Sequence, residues 1–190
     1  MPRSRSPISS PPTKLSADLN PALRRATAED AAALSLVACA TLLDTFAGIL
    51  SGADLVAHCA ANNTPAKFAG WADDAESVVT VAEAANGGAP VGYSVLTMPD
   101  LPIEIAEGDI ELRRIYTLSR VHGSGLGAAL MARALDDARA LGKSRVLLGV
   151  YGGNARARAF YERQGFTLAG TRQFRVGDTL HDDVVYARAV

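Results

Sequence analysis

The stretch VHGSGLGAALM, Val121 to Met131, places three glycines within five residues, directly ahead of an apolar helical pattern. Glycine lets the backbone come close to a ligand, consecutive N–H groups form a concave anion site, and the positive end of the following helix adds to the field. The chemistry open to such a loop is to hold a diphosphate. Two patterns fit it: Gly123, Gly125 and Ala128 satisfy the dinucleotide fingerprint GxGxxG/A, while Arg120, Gly123 and Gly125 read R-x-x-G-x-G.

A dinucleotide fold ends its strand at the first glycine and supplies an Asp or Glu about 20 residues further on for the ribose hydroxyls. Here Ser119 to His122 lie between Leu118 and Gly123, and the segment SRVLLGVYGGN offers no carboxylate before Glu162. An NAD-dependent oxidoreductase is therefore disfavoured. An ordinary glycine-rich strand-to-helix connection is the other plain reading, and residues on neighbouring elements must decide.

Those elements are legible in outline. ALRRAT reads as a strand ending at Thr27, where Thr27 and Asp30 can cap an Ala- and Leu-rich helix from about Ala31 to Gly48. Ser51 is placed to cap a second helix, and Pro65 opens a further helical turn carrying Phe68 and Trp71. SVVTVAEA and VGYSVLTM flank NGGAP and predict an antiparallel hairpin. After a loop with Pro99 and Pro102, DIELRRIYTL alternates Ile110, Leu112, Arg114, Tyr116 and Leu118 on one face with Glu111, Arg113, Ile115 and Thr117 on the other, which predicts a central strand.

Leu126, Leu130, Ala134, Ala138 and Leu141 keep helical spacing up to Gly142. SRVLLGV is the nearly continuous apolar run of a strand covered on both faces. Asn154 can cap ARARAFYERQ, Gly165 ends that helix, and FTLAGTRQFRVG with TLHDDVVYARAV predicts a last hairpin. The order βαα–ββ–β–α–β–α–ββ predicts a mixed α/β (α+β) domain around one central sheet.

The 190 residues suit one domain, expected over residues 22–190 behind a flexible Ser/Pro-rich tail at residues 1–21. That tail carries Arg3, Arg5 and Lys14 but no apolar stretch of a secretory signal; a transit peptide is the rival reading, opposed by the lack of an amphipathic helix before Pro11 and Pro12. A net charge of −1 gives no electrostatic footprint for nucleic acid or an anionic membrane. No apolar run approaches the roughly 20 residues of a bilayer span, so a soluble protein is expected. Cys39 and Cys59 show neither CxxC nor His at ligand spacing. They predict two buried small side chains in a reducing cytoplasm, with no metal site and no disulfide framework.

ELRRIYTLSRVHGSGLGAALM followed by LGVYGGNARARAFYERQGF closely resembles the GNAT superfamily of N-acetyltransferases. The likeness covers Leu23 to the C-terminus in element order and is specific in two blocks, Glu111 to Leu141 and Asn154 to Phe166. Within the superfamily, RIYTLSRVHGSGLG, the second block, the ending FRVGDTLHDDVVYARAV and the segment Thr45 to Leu55 look most like bacterial polyamine acetyltransferases of the PaiA type. The resemblance implies a mostly antiparallel sheet with about four flanking helices, splayed between its fourth and fifth strands, and a bulge near Thr117.

It also implies direct acetyl transfer from acetyl-CoA to an amine, without a covalent enzyme intermediate and without a metal. A primary amine with a reference pKa of about 10.4 is protonated at neutral pH, so attack needs a route for a proton. Glu111 is the candidate base, acting through water; it lies six residues before Thr117 on one strand face, an offset matching the base of the histone-modifying branch. Pairing with Arg113 or with a cationic substrate is the alternative role for that carboxylate. Tyr161 stands where the superfamily places a phenol near the departing sulfur.

By the same resemblance, Tyr116, Thr117 and Leu118 offer backbone groups to the pantetheine, and Arg120, His122, Gly123, Ser124, Gly125, Leu126 and Gly127 form the pyrophosphate site. Asn154 bonds the pantetheine arm while capping its helix, and Arg156 and Arg158 are candidates for the CoA phosphates. Asp44, Glu104, Glu107, Asp109 and Glu111 could form an acidic mouth for a polyamine-like acceptor. A protein or peptide N-acetyltransferase and a non-catalytic CoA-binding regulatory module are the other readings of the same residues. The expected partner is a small-molecule amine, and the resemblance allows a homodimer.

Overall fold

The computed structural model describes residues 21–176 and 179–190. The expected tail lies outside these residues except for Pro21. Among the described residues one seven-stranded sheet runs in the order β1-β2-β3-β4-β5-β7-β6. Its strands are β1 (Ala22–Arg25), β2 (Val78–Glu83), β3 (Pro90–Thr97), β4 (Asp109–Thr117), β5 (Arg145–Tyr151), β6 (Thr167–Val176) and β7 (Thr179–Ala189). Every pairing is antiparallel except β4 with β5.

Among the described residues five α-helices flank it: α1 (Ala31–Phe46), α2 (Gly52–Asn62), α3 (Pro65–Asp73), α4 (Leu126–Ala140) and α5 (Ala155–Arg163). Their starts follow the expected caps. Ser51 Oγ accepts the Asp54 N–H, Thr64 Oγ1 accepts the Lys67 N–H ahead of Pro65, and Asn154 Oδ1 accepts the Ala157 N–H. Thr27 and Asp30 form a capping box around a short 3-10 turn that leads into α1.

α1 and α3 cover one face, where Leu34, Val37 and Phe68 pack on Val79, Val81, Tyr93 and Val95. α4 covers the other, with Met131, Leu135 and Ala138 on Ile110, Leu112, Val146 and Leu148. No helix among the described residues is long and apolar enough to cross a membrane.

The strand β4 departs from regular pairing in two places. Its parallel ladder with β5 has only three register pairs, Asp109 with Arg145, Ile110 with Val146 and Glu111 with Leu147. Beyond them β4 stays with β3 and β5 stays with β7, as far as Gly92 opposite Thr117 and Tyr151 opposite Asp183, so the sheet opens into a V. The splay is where the resemblance placed it.

The bulge is not near Thr117. It lies at Arg113, where Val95 pairs with Arg114 but Leu96 pairs with Leu112. One extra residue inverts every later side chain. The simple alternation expected for DIELRRIYTL therefore breaks: Ile110, Leu112 and Ile115 pack on the α4 side, whereas Tyr116 packs on the α1 side with Phe68 and Tyr93. Thr117 also turns to the α4 side, since a Cβ on the opposite residue Gly92 would touch both Thr117 Cγ2 and Leu130 Cδ1.

Cys39 and Cys59 are free and partly rather than fully buried. Partial burial, with the Cys39 thiol alongside, pushes the Cys59 thiol up to about 11.

Candidate functional site

The open V between β4 and β5 ends at the glycine loop, and its β4 wall carries unpaired backbone. The Leu118 N–H donates to the Val91 carbonyl at 3.0 Å. Alternation in an antiparallel ladder then turns the peptide groups of Tyr116 and Arg114 towards β3, and those of Ile115 and Thr117 into the gap. Leu118 is further engaged through its carbonyl, which accepts the Val121 N–H. Of the three residues expected to offer backbone there, Thr117 does so and Ile115 joins it; Tyr116 and Leu118 direct theirs elsewhere.

At the mouth of the V, Gly123 and Gly125 adopt φ of 83° and 88°, a region that a side chain strains. The His122 and Ser124 N–H groups close turns onto Ser119 and Val121, and Ser124 Oγ sits 3.4 Å from the Leu126 N–H. The N–H groups of Gly123, Gly125, Gly127 and Ala128 donate to no other described residue. Four open donors at the start of the 15-residue α4 could receive an anion, a set narrower than His122 to Gly127. Asp44 braces this turn by accepting the Ser119 N–H at 2.9 Å, and exposed Arg120 lies beside it.

Tyr161 comes from α5 on the α4 face, with its ring 5.5 Å from Phe160, 6.1 Å from Phe166 and 6.4 Å from Tyr186. Burial, reinforced by the nearby Tyr116 phenol, raises its pKa above the ordinary 10.0. Its hydroxyl bonds to no described residue. Tyr116 comes from the opposite face, stacked on Tyr93 at 5.9 Å and likewise raised by burial. Asn154 Oδ1 is used as the α5 cap. Arg158 folds back onto Tyr186 and the Gly152 carbonyl, whereas Arg156 is exposed.

Glu111 lies at the apex of the V, 5% exposed, on the α1 face. Its Oε2 accepts both the Arg113 guanidinium and the Asp100 N–H at 2.9 Å. Oε1 bonds to no described residue. The bulge separates Glu111 from Thr117, so the two do not share a face as expected. Arg114 reaches α2 instead, donating to Asn63 Oδ1 and the Asn62 carbonyl, with its guanidinium 5.0 Å from the Trp71 ring.

The expected acidic mouth does not assemble. Asp109, 1% exposed, is clamped by Arg145 at 2.6 Å, Asp44 caps Ser119 and Glu111 is held by Arg113. Glu104 and Glu107 stay on the exposed loop. Among the described residues, no group of three His, Cys, Asp or Glu side chains could hold a metal.

A second charged pair is not among the residues expected from sequence. Arg172 on β6 and buried Asp183 on β7 lie 3.2 Å apart on the α1 face, and the guanidinium extends over β5, where a Cβ on Gly149 would stand 2.7 Å from its carbon. They help to line a cleft of about 770 Å³ with Tyr151, Thr171 and Gln173. A glycine inside an apolar strand was the available signal, because it marks close approach by another group.

The ensemble can hold a diphosphate at the loop, align an extended chain along Ile115 and Thr117, and present a carboxylate and a protonated phenol from opposite faces. Similar proteins share this frame. The profile of the Acetyltransferase (GNAT) family matches residues 43–166. An uncharacterised N-acetyltransferase of Mycobacterium tuberculosis (strain ATCC 25618 / H37Rv) is 38% identical over 128 residues, 67% of this chain and 77% of that protein. The mycothiol acetyltransferase of Beutenbergia cavernae is 64% identical over 62 residues, 31% of this chain and 21% of that protein. The crystal structure of the PaiA N-acetyltransferase of Thermoplasma acidophilum in complex with coenzyme A superposes with a TM-score of 0.75 at 20% identity, over 90% of this chain and 99% of that one.

Proposed function

The chain belongs to the Acetyltransferase (GNAT) family, and from that membership we propose that it moves an acetyl group from acetyl-CoA directly to the primary amine of a small molecule. One observation carries this reading: the V between β4 and β5 leads from buried Glu111 to the four open N–H donors at the start of α4. The loop and Arg120 take the diphosphate, and the Ile115 and Thr117 peptide groups take the pantetheine as an added strand. The thioester then lies between the two faces of the sheet.

On the α1 face the ammonium first gives one proton through water to Glu111, the free amine nitrogen then attacks the thioester carbon, and the second nitrogen proton, lost as the amide forms, leaves through water and restores the Tyr161 phenol. The new C–N bond forms, the C–S bond breaks, and the thiolate takes the Tyr161 proton from the α4 face. A phenol raised by burial stays protonated at neutral pH and suits that role.

Within the family, the sequence blocks support the PaiA-type branch, and the fold shared with the Thermoplasma acidophilum protein accords with it. A polyamine-like acceptor rests on the same resemblance, although Asp44, Asp109 and Glu111 already bond within the protein. A cytoplasmic setting accords with two unpaired cysteines. Calorimetric titration with acetyl-CoA, followed by an amine panel scored for acetylated product, tests the reading. Saturable binding with product from at least one amine supports it; absence of both overturns it.

A further inference from the structure

We propose that Cys39 on α1 and Cys59 on α2 form a redox-sensitive modification site, closing to a disulfide that tightens the helix pair and slows use of the amine acceptor. Closure of the bond stands apart from the acetyl-transfer reading above; its effect on the acceptor rests on that reading.

Only Ala47 to Ser51 join α1 to α2, so the two helices form an antiparallel hairpin. Their register is fixed at one end, where Ser35 Oγ donates to the Asn63 carbonyl. So short a side chain reaching main chain holds the Ser35 and Asn63 Cα atoms within about 7 Å of each other. Residues four apart share a helix face, so one turn along α1 and one turn back along α2 bring Cys39 opposite Cys59. The two thiols lie against each other there, and Asn63 Nδ2 donates to Cys59 Sγ at 3.9 Å. Backbones at that spacing stand near the upper end of what a disulfide spans, so closure draws them together. Both side chains are only partly buried, within reach of a small oxidant. Among the described residues no His, Asp or Glu joins the two thiols in a group of three, which leaves a metal short of ligands.

The oxidant is a low-molecular-weight disulfide. The Cys39 thiolate attacks one of its sulfurs and expels one thiolate; Cys59 then attacks Cys39 Sγ and expels the second. One S–S bond forms in the protein and one breaks in the oxidant, which leaves as two thiols carrying the two cysteine protons. Burial, and then the Cys39 contact, push Cys59 up to about 11, which suits it to the second step rather than the first.

Asn63 carries the consequence to the sheet. Its Oδ1 accepts Arg114 Nη1 at 2.6 Å and the Asn62 carbonyl accepts Nη2 at 2.8 Å. These bonds tie the end of α2 to β4 between Glu111 and the Ile115 peptide group. A disulfide holds its sulfurs at about 2 Å, well inside thiol contact distance, so closure pulls Cys59 from Asn63 and strains this anchor. The amine of the proposed reaction approaches from the same α1 face.

The test treats the full chain with oxidised glutathione or with dithiothreitol, alkylates the remaining thiols and reads intact mass. Oxidised wild type should lose two hydrogens and take up no alkylating agent, and dithiothreitol should reverse both changes. Cys59→Ser should instead keep one glutathionyl group on Cys39. With acetyl-CoA and an amine that the reduced protein acetylates, oxidation should lower the acceptor kcat/KM at least about threefold and leave calorimetric acetyl-CoA affinity within about twofold. Cys39→Ser should show no such loss.

Thiols that stay open to alkylation, or a disulfide between two chains, would overturn the site. A closed disulfide with unchanged acceptor kcat/KM, or the same loss in Cys39→Ser, would overturn its effect on the acceptor. Absence of turnover by the reduced protein would instead overturn the acetyl-transfer reading, and the acceptor effect with it, while mass still decides closure.

Discussion

Glu111 on β4 and Leu147 on β5 form the last register pair before the sheet divides. The carboxylate is thus fixed where an incoming amine and a thioester lying in the V would meet. Arg113 and the Asp100 N–H hold its Oε2 in that place. Glu111→Gln keeps the shape and removes the base, so kcat should fall about 100-fold or more while the KM for acetyl-CoA changes little. Steady-state kinetics with acceptor and acetyl-CoA varied separately provide the measurement. An unaltered kcat would reduce Glu111 to a structural partner of Arg113.

Tyr161 should affect turnover rather than binding. Tyr161→Phe keeps the ring contacts with Phe166 and Tyr186 but removes the proton, so kcat should drop while calorimetric affinity for acetyl-CoA stays within about twofold. Because burial raises this phenol above 10.0, the wild-type enzyme keeps its donor through pH 9, and any loss of kcat owed to Tyr161 should begin only above pH 10. A basic limb that persists unchanged in the Phe variant belongs to another group.

Gly125 adopts φ of 88° as the residue before α4. Gly125→Ala forces a side chain into the left-handed region at a cost of about 1 kcal/mol or more, and it disturbs the open N–H donors. Both Tm and acetyl-CoA affinity should fall. Gly127→Ala is the contrast: its Cβ would stand 3.8 Å from Phe160 at ordinary contact distance, so its effect on Tm should be smaller.

Asp109 and Arg145 tie the first register pair of β4 and β5 together, with the Asp109 side chain 1% exposed. Asp109→Asn should cost about 1 kcal/mol, read by urea denaturation, because the Arg145 guanidinium loses its charge partner but, at 38% exposed, stays partly solvated. The hydrogen-bonded Arg145 guanidinium lowers the Asp109 pKa below its ordinary 3.8. A depressed folded-state value means that the stabilisation is fully present above pH 3.8 and is lost as pH falls through the lower folded value. The difference between wild type and variant should therefore be constant near neutrality and shrink only in strong acid.

Much of the fold was open to direct reading because local signals agreed with the tertiary structure. Ser51, Asn154, Pro65 and Gly142 mark ends that hydrogen bonding alone determines, and SRVLLGV is apolar because helices and a loop cover both its faces. Arg113 defeats the same method. A bulge leaves no trace in a pattern of alternating residues when the inserted residue is itself polar, and beyond it Ile115, Tyr116 and Thr117 lie on the faces opposite to those simple alternation predicts.

The acidic mouth failed for a different reason. Counting carboxylates along the chain ignores which arginine reaches each one, and Asp109 meets Arg145 only because β4 and β5 pair in parallel. Arg172, Gly149 and Asp183 lie on three different strands, so only the β5-β7-β6 order of the sheet brings them together.

Direct transfer from acetyl-CoA to an amine is tested most directly by following free CoA thiol and N-acetyl product together. The assay uses the full chain, with and without a primary amine, alongside intact-mass measurement of the protein. Thiol release that requires the amine, matches acetylated product one for one and leaves the protein mass unchanged is the predicted result. Acetyl-CoA binding without amine-dependent thiol release, or an acetyl group retained on the protein as an intermediate, would contradict direct transfer.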